Sequence, residues 1–249
     1  MSMMNLQETL WLGRLRARLI SNRRVQQAEK SLTAKEAYPY WASTYSTETA
    51  TSFLDEELAR KMLRGLPHRH LLDAGCGTGR RIANNPHAVG VDLSPAMLAA
   101  GGASNVIEGD IRSMPFEAER FEMVWSRLVI GHIPDPQSAY DEFARVTKPG
   151  GYVFVTDFHP DAAHAGHQRS FTDANGTLHA IEHYVHTDHV ELARRVGLSL
   201  VEHQDGAVGP SVREFYVRGI GIKAYRRDEG LKLVVAYLFQ KLTGQQTMQ

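Results

Sequence analysis

His70-Leu-Leu-Asp-Ala-Gly-Cys-Gly-Thr-Gly-Arg80 is a short apolar run that ends in Asp73 and breaks into glycines at 75, 77 and 79. It reads as a buried strand feeding a tight turn where backbone comes close to a ligand. Glycine adopts the positive φ angles such a turn needs, and its missing side chain leaves room for the bound molecule. Alone, the pattern is shared by several nucleotide-binding classes. Working outward, Val89-Gly-Val-Asp-Leu-Ser-Pro95 is a second apolar run tipped by Asp92. An acidic residue at the end of the second strand of an α/β sheet is placed to accept hydrogen bonds from ribose hydroxyls. Ser94-Pro95 reads as a helix start.

Asn105-Val-Ile-Glu-Gly-Asp110 offers a third strand edge with a terminal carboxylate, Phe121-Glu-Met-Val-Trp-Ser126 a fourth run, and Lys148-Pro-Gly-Gly-Tyr-Val-Phe-Val-Thr-Asp157 a turn followed by a fifth. Taken in this order over residues 70–157, the set resembles the class I S-adenosylmethionine-dependent methyltransferases, in particular the small-molecule, type 11-like group. The resemblance implies a Rossmann-like α/β fold: a seven-stranded, mostly parallel sheet with the last strand antiparallel and helices on both faces. It implies S-adenosyl-L-methionine as cofactor, with the glycine turn (Asp73, Gly75, Cys76, Gly77, Gly79) lining the methionine moiety and ribose. Asp92 is then the ribose ligand, with Leu93 and Met97 beside it, and Asp110 and Ile111 lie at the adenine. Ser126, Tyr40 and Tyr45 complete the cofactor set. A nicotinamide-binding fingerprint needs Gly-x-Gly-x-x-Gly, so that a third glycine packs helix against sheet. Here the spacing is Gly-x-Gly-x-Gly. One departure from the family is the short segment between Gly79 and Val89. Asn84-Asn85-Pro86 within it predicts a truncated first crossover helix.

The balance of 28 basic against 28 acidic residues in 249 marks no whole-protein nucleic-acid footprint. No apolar run approaches the roughly 20 residues of a membrane span. Arg14, Arg16 and Arg18 interrupt any signal-peptide core, and Cys76 is the only cysteine. The expectation is a cytoplasmic enzyme whose single thiol is a small filler in the turn. Residues 1–66 read as an N-terminal helical lid or extension and 67–249 as the core, with residues 158–186 inserted on the substrate side. Leu6, Leu10, Leu12, Leu15 and Leu19 suggest an amphipathic helix that packs on the core or on a second subunit, so that a homodimer through the N-terminal helices is one expectation. Ala37-Tyr-Pro-Tyr-Trp-Ala-Ser-Thr-Tyr45 is the expected aromatic lid. Asp173-Ala-Asn-Gly176 predicts a β-hairpin turn within the insertion. Thr187-Asp188 predicts a helix start, Gly197 its end, residues 198–202 and 231–239 the sixth and seventh strands, and Val212 to Arg227 a helical segment between them.

Seven histidines fall between His159 and His189. His183, His186 and His189 straddle a strand end and a helix cap, so they are expected to point in different directions and no metal site is predicted. His159, after the fifth strand and braced by Pro160, is the first choice for a catalytic base; His132, after the fourth, is the second. The expected reaction is in-line methyl transfer to an O, N, S or C nucleophile of a small molecule. The sequence lacks the Pro-Pro-aromatic motif of base-amino methylation after its fourth strand. An RNA methyltransferase and a non-catalytic S-adenosylmethionine-binding protein are the alternatives.

Overall fold

The computed structural model describes residues 31–243. The segment carrying Leu6 to Leu19, and with it the expected dimer contact, lies outside the described residues. Two N-terminal helices come first: α1 (Ala34–Trp41) and α2 (Ala50–Met62). Both begin in capping boxes, Thr33 with Glu36 and Thr49 with Ser52, which satisfy otherwise orphaned first-turn amides. The core then runs β1 (Leu71–Ala74), β2 (Ala88–Asp92), α3 (Pro95–Gly101), β3 (Val106–Glu108), β4 (Phe121–Arg127), α4 (Gln137–Val146) and β5 (Thr147–Phe158). After β5 come α5 (Pro160–His164), the short strands β6 (Ser170–Thr172) and β7 (Leu178–Ala180), and α6 (His189–Arg195). The chain closes with β8 (Leu198–Ala207), α7 (Arg213–Gly219), α8 (Ile222–Asp228) and β9 (Lys232–Lys241).

Seven strands form one sheet in the order β3-β2-β1-β4-β5-β9-β8. β1 to β5 pair in parallel, and β9 lies antiparallel to both β5 and β8. Successive side chains of a strand point to opposite faces, and the core divides accordingly. Leu72, Val124, Val153 and Val155 pack on one face with Tyr140 and Phe143 of α4. Leu71, Met123 and Phe154 pack on the other with Leu54, Leu58 and Met62 of α2. The order in which strands are added reverses between β1 and β4, first outward to β2 and β3 and then outward to β5, which makes the carboxyl ends of these parallel strands the crevice where an open α/β sheet takes its ligand.

Three local expectations are corrected. Between Gly79 and Ala88 there is no truncated helix but a succession of turns, with Ile82 N–H donating to Gly79 and Asn85 N–H to Ile82. Lys148-Pro-Gly-Gly151 is no turn ahead of β5. It is part of the strand, as a bulge that shifts the pairing from Phe121–Thr147 to Met123–Tyr152, with Gly150 at φ 76°. The helix after Asp188 begins without a side-chain hydrogen bond from that residue.

Candidate active site

The turn after β1 is held by backbone bonds to the neighbouring strand. Gly75 and Cys76 N–H both donate to the Val91 carbonyl, at 2.8 and 3.0 Å. Gly75, Gly77 and Gly79 have φ of 80°, 57° and 69°, which side chains other than glycine rarely adopt. Asp92 ends β2 and turns back onto this loop: Oδ2 accepts from Gly77 N–H at 2.7 Å and Oδ1 from Ser94 N–H at 2.9 Å. Each oxygen keeps a second lone pair for a ligand hydroxyl. Burial raises the Asp92 carboxyl above its ordinary range against the pull of those two bonds.

Asp73 is the most telling residue of the loop. It is fully buried, and neither carboxylate oxygen has a hydrogen-bond partner. Burial pushes its acidity down, raising the carboxyl's pKa despite the nearby Arg81 and Arg127. Buried polar atoms are nearly always paired, so an orphaned carboxylate at the base of a glycine turn marks a missing cationic or hydrogen-donating partner. Cys76 fills the space under Gly90, where a Cβ would come within 2.6 Å of its sulfur. Burial raises the thiol well above its usual pKa, which keeps it protonated and inert.

Other residues of the expected cofactor set fall variously. Met97 is buried, and its methyl lies 3.3 Å from where a Cβ on Gly77 would be; the Tyr45 ring lies 3.2 Å from the same point. Gly77 therefore forms the floor of a slot between Tyr45 and Met97. Leu93 is exposed beside Asp92. Ile111 turns into the hydrophobic core. Asp110 is spent on a bidentate pair with Arg112, closest approach 2.6 Å, and the bond holds its carboxyl below the usual range. Ser126 is fully buried with its hydroxyl unpaired. Tyr40 is not brought to the site: it is 56% exposed and stacks on His179 outside it. Tyr38, from the same helix, instead meets His132 edge-on at 6.2 Å and feels the charges of Asp92 and Arg169.

A cleft of about 380 Å³ is lined by Phe158, His167, Arg169, Glu182, His183 and Tyr184 among others. Of the histidines, His159 does not face it. His159 Nδ1 accepts from Asp161 N–H at 3.0 Å, capping α5, and its Nε2 lies 3.5 Å from Asp205 on β8. The lone pair a base needs is already used, because the proline that braces the residue also starts a helix over it. His132 does not line the cleft but bonds to a residue that does, its Nδ1 donating to the Glu182 carbonyl at 3.1 Å. Burial, with Arg169 nearby, pushes its pKa down to about 4.

His183 and His189, expected to diverge, both converge on Asp157 at the end of β5. His183 Nε2 lies 3.1 Å from Oδ1 and His189 Nε2 3.6 Å from Oδ2. His186 alone turns elsewhere, to the Ile133 carbonyl at 2.9 Å. Among the described residues no group of histidine, cysteine and carboxylate side chains is arranged to hold a metal ion. Two further features were missed at the sequence level. Asp55 of α2, wholly buried, holds Arg127 at 2.7 Å and Arg81 at 3.1 Å beneath the loop. Gly131 lets His183 in: a Cβ there would stand 1.9 Å from the imidazole Nε2.

Residues 72–155 match the family model described as a methyltransferase domain. A malonyl-(acyl-carrier protein) O-methyltransferase of Dechloromonas aromatica is 28% identical over 178 residues, covering 68% of this chain and 66% of that protein. The enzyme of the same name from Erwinia billingiae is 34% identical over 139 residues, covering 52% and 55%. The chain thus spans between half and two thirds of the length of these relatives. An S-adenosylmethionine-dependent methyltransferase from Mesorhizobium loti superposes with a TM-score of 0.54 at 17% identity, covering 75% of this chain and 99% of that one, a likeness of fold. With the sheet order, the glycine turn and the matched segment in agreement, residues 72–155 are similar to a methyltransferase domain, and the described chain carries the fold of the class I S-adenosylmethionine-dependent methyltransferases.

Proposed function

We propose that the protein is a methyltransferase that moves the methyl group of S-adenosyl-L-methionine to a nucleophilic atom of a small molecule. The orphaned carboxylate of Asp73 under the glycine turn carries this reading. Asp73 would hold the cofactor's ammonium, Asp92 its ribose, and Gly77 the close approach between Tyr45 and Met97. When bound, the cofactor supplies a methyl already activated on a sulfonium. The chain's own task is to align the acceptor and keep water out. In this reading residues 31–66 and 158–186 cover the cleft: Thr44 Oγ1 donates to the Thr172 carbonyl at 2.8 Å, and Trp41 stacks on Phe171. The lid and the insertion close on each other over the strand ends. Balanced charge and a cleft of small-molecule size favour a metabolite over RNA as acceptor.

Two measurements test this. Calorimetric titration with S-adenosylhomocysteine should give micromolar binding, weakened at least tenfold by Asp92→Ala, which loses ligand bonds and the anchor of Gly77. Asp73→Asn should weaken it by about tenfold to a hundredfold, the worth of a charge-assisted bond. The same substitution should stabilise the ligand-free protein at neutral pH. A carboxyl whose folded pKa is raised contributes fully only below its ordinary pKa, and that contribution is lost as pH rises through the folded value. Undiminished binding by either variant would remove these residues from the cofactor site. Secondly, tritiated methyl from S-adenosylmethionine should pass to a small-metabolite extract in preference to RNA or protein. Label mainly in RNA would overturn the acceptor class, and label nowhere would make the chain a cofactor-binding protein without transferase activity.

A further inference from the structure

We infer that His183, seated on Asp157, is the base that takes the acceptor's proton, and that the acceptor is accordingly a small molecule methylated at a hydroxyl. This rests on the methyltransferase reading and adds the acceptor atom to it. Asp157 is wholly buried at the carboxyl end of β5. Burial would raise its carboxyl, but the His183 hydrogen bond and the adjacent imidazoles outweigh it and hold the group below the usual range, ionised. An ionised carboxylate only accepts, so His183 Nε2 carries the proton at this 3.1 Å contact. The lone pair is left on Nδ1, which has no protein partner among the described residues, on a ring that lines the cleft.

The seat is built from several elements. Phe158 N–H donates to Asp157 Oδ1 at 2.7 Å, and the Phe158 ring packs edge-on against His183 at 5.5 Å. Behind the carboxylate stands His189, whose Nδ1 is 2.8 Å from the Tyr140 hydroxyl. Gly131 provides the gap through which the imidazole reaches the strand end, and its carbonyl accepts from Tyr184 N–H at 2.7 Å. A fixed tautomer, an orienting carboxylate and a free lone pair on a ring that lines a cavity are the parts of a general base. The other two histidines near the strand ends lack one part each. His159 has spent its lone pair on a helix cap, and His132 packs against His183 at 6.0 Å with no carboxylate bonded to it. The charged and titratable groups around His183 are Asp157, His132 and, through Asp157, His189, with His167, Arg169, Glu182 and Tyr184 lining the same cleft.

The step balances without a further reagent. The acceptor's O–H bond breaks and its proton goes to His183 Nδ1. The oxygen's electron pair becomes the new bond to the methyl carbon, and the carbon–sulfur bond breaks with its pair staying on sulfur. The imidazolium that forms faces the Asp157 carboxylate. A carboxylate, or an amine in its neutral form, attacks through a free lone pair and needs no such base, and a thiol ionises in part unaided near neutrality; a hydroxyl whose pKa lies above the working pH is the acceptor that depends on the dyad most.

The test uses the full chain, tritiated S-adenosylmethionine and probe sets of phenols and other hydroxylated compounds, amines and carboxylic acids. Label should enter a hydroxylated probe. His183→Ala should lower that turnover a hundredfold or more, with S-adenosylhomocysteine affinity within about twofold, which also reports that the variant is folded. Gly131→Ala, which pushes the ring off Asp157 without changing either side chain, should do the same. Independently of activity, long-range nitrogen–proton NMR of the ligand-free protein should show the neutral His183 ring with its proton on Nε2, and Asp157→Asn should disturb that tautomer. Near-normal turnover in His183→Ala, a proton on Nδ1, or label confined to amines or carboxylates would overturn the inference while leaving methyl transfer standing. No label in any probe would overturn both.

Discussion

Asp55→Ala is expected to destabilise the protein by about 3–5 kcal/mol, the cost of removing one partner from a buried ion pair. Asp55 is wholly buried and serves three groups: Arg127 at 2.7 Å, Arg81 at 3.1 Å, and the Thr156 hydroxyl, which donates at 2.7 Å. Arg127 and Arg81 are themselves 2% and 10% exposed, so the variant strands two guanidinium groups with little access to water. Glu56 also reaches Arg127 at 2.8 Å from a 58% exposed position, which places the loss toward the lower end of the range. Against a total of roughly 5–15 kcal/mol for a domain, that is still a large fraction. The pH dependence has a definite sign. Burial would raise the Asp55 carboxyl, but the two arginines outweigh it and hold it below the usual range. A depressed carboxyl contributes fully above its ordinary pKa and loses the contribution as pH falls through the folded value. The gap between wild type and Asp55→Ala should therefore be full at pH 7 and shrink on acidification below about pH 4. Urea denaturation at a series of pH values measures it, and a loss under about 1 kcal/mol at pH 7 would mean that the arginines find other partners. The cluster also ties function to fold, because Arg81 follows the glycine turn and Arg127 ends β4, both anchored by a residue of the N-terminal α2.

Asp55 also shows which kind of residue a sequence hides. The glycine turn, the acids that tip β1 and β2, and the Ser94-Pro95 helix start were legible because each is a local pattern whose partners lie within a few residues. Asp55 lies 72 positions from Arg127, and nothing in the amphipathic pattern of α2 distinguishes an inward aspartate from an outward one. The histidines failed for a related reason. Proximity to the end of β5 favoured His159, but a proline-started helix there used its lone pair. The residue that reaches Asp157 comes from 26 positions later, through a gap left by Gly131. The Lys148–Gly151 segment reads as a turn because turns and bulges draw on the same residues. On α1, Tyr38 and Tyr40 are equivalent in composition, and which of them faces inward is decided by how a helix of two turns docks.

Gly101→Ala is the second large effect, and intrinsic propensity predicts its sign wrongly. Gly101 is the last residue of α3, and in a helix alanine is favoured over glycine by about 1 kcal/mol. A Cβ on Gly101 would stand 1.7 Å from the Thr78 carbonyl oxygen and 2.6 Å from its carbon. The obstacle is backbone, so no side-chain rotation relieves it, and either α3 or the peptide between Gly77 and Gly79 must move. Overpacking of this kind costs about 1–3 kcal/mol or more, which exceeds the propensity gain. The displaced peptide belongs to the glycine turn, so S-adenosylhomocysteine affinity should fall at least tenfold together with stability, since small misplacements of a positioning loop are expensive. Gly102→Ala is the matched control. Its φ of 64° makes a side chain strained, at about 1–2 kcal/mol, but a Cβ there meets nothing within 4 Å. That variant should lose stability and keep its affinity. Should Gly101→Ala keep its affinity as well, the helix end would be free to give way, and the seating of α3 on the turn would have no part in holding the ligand loop.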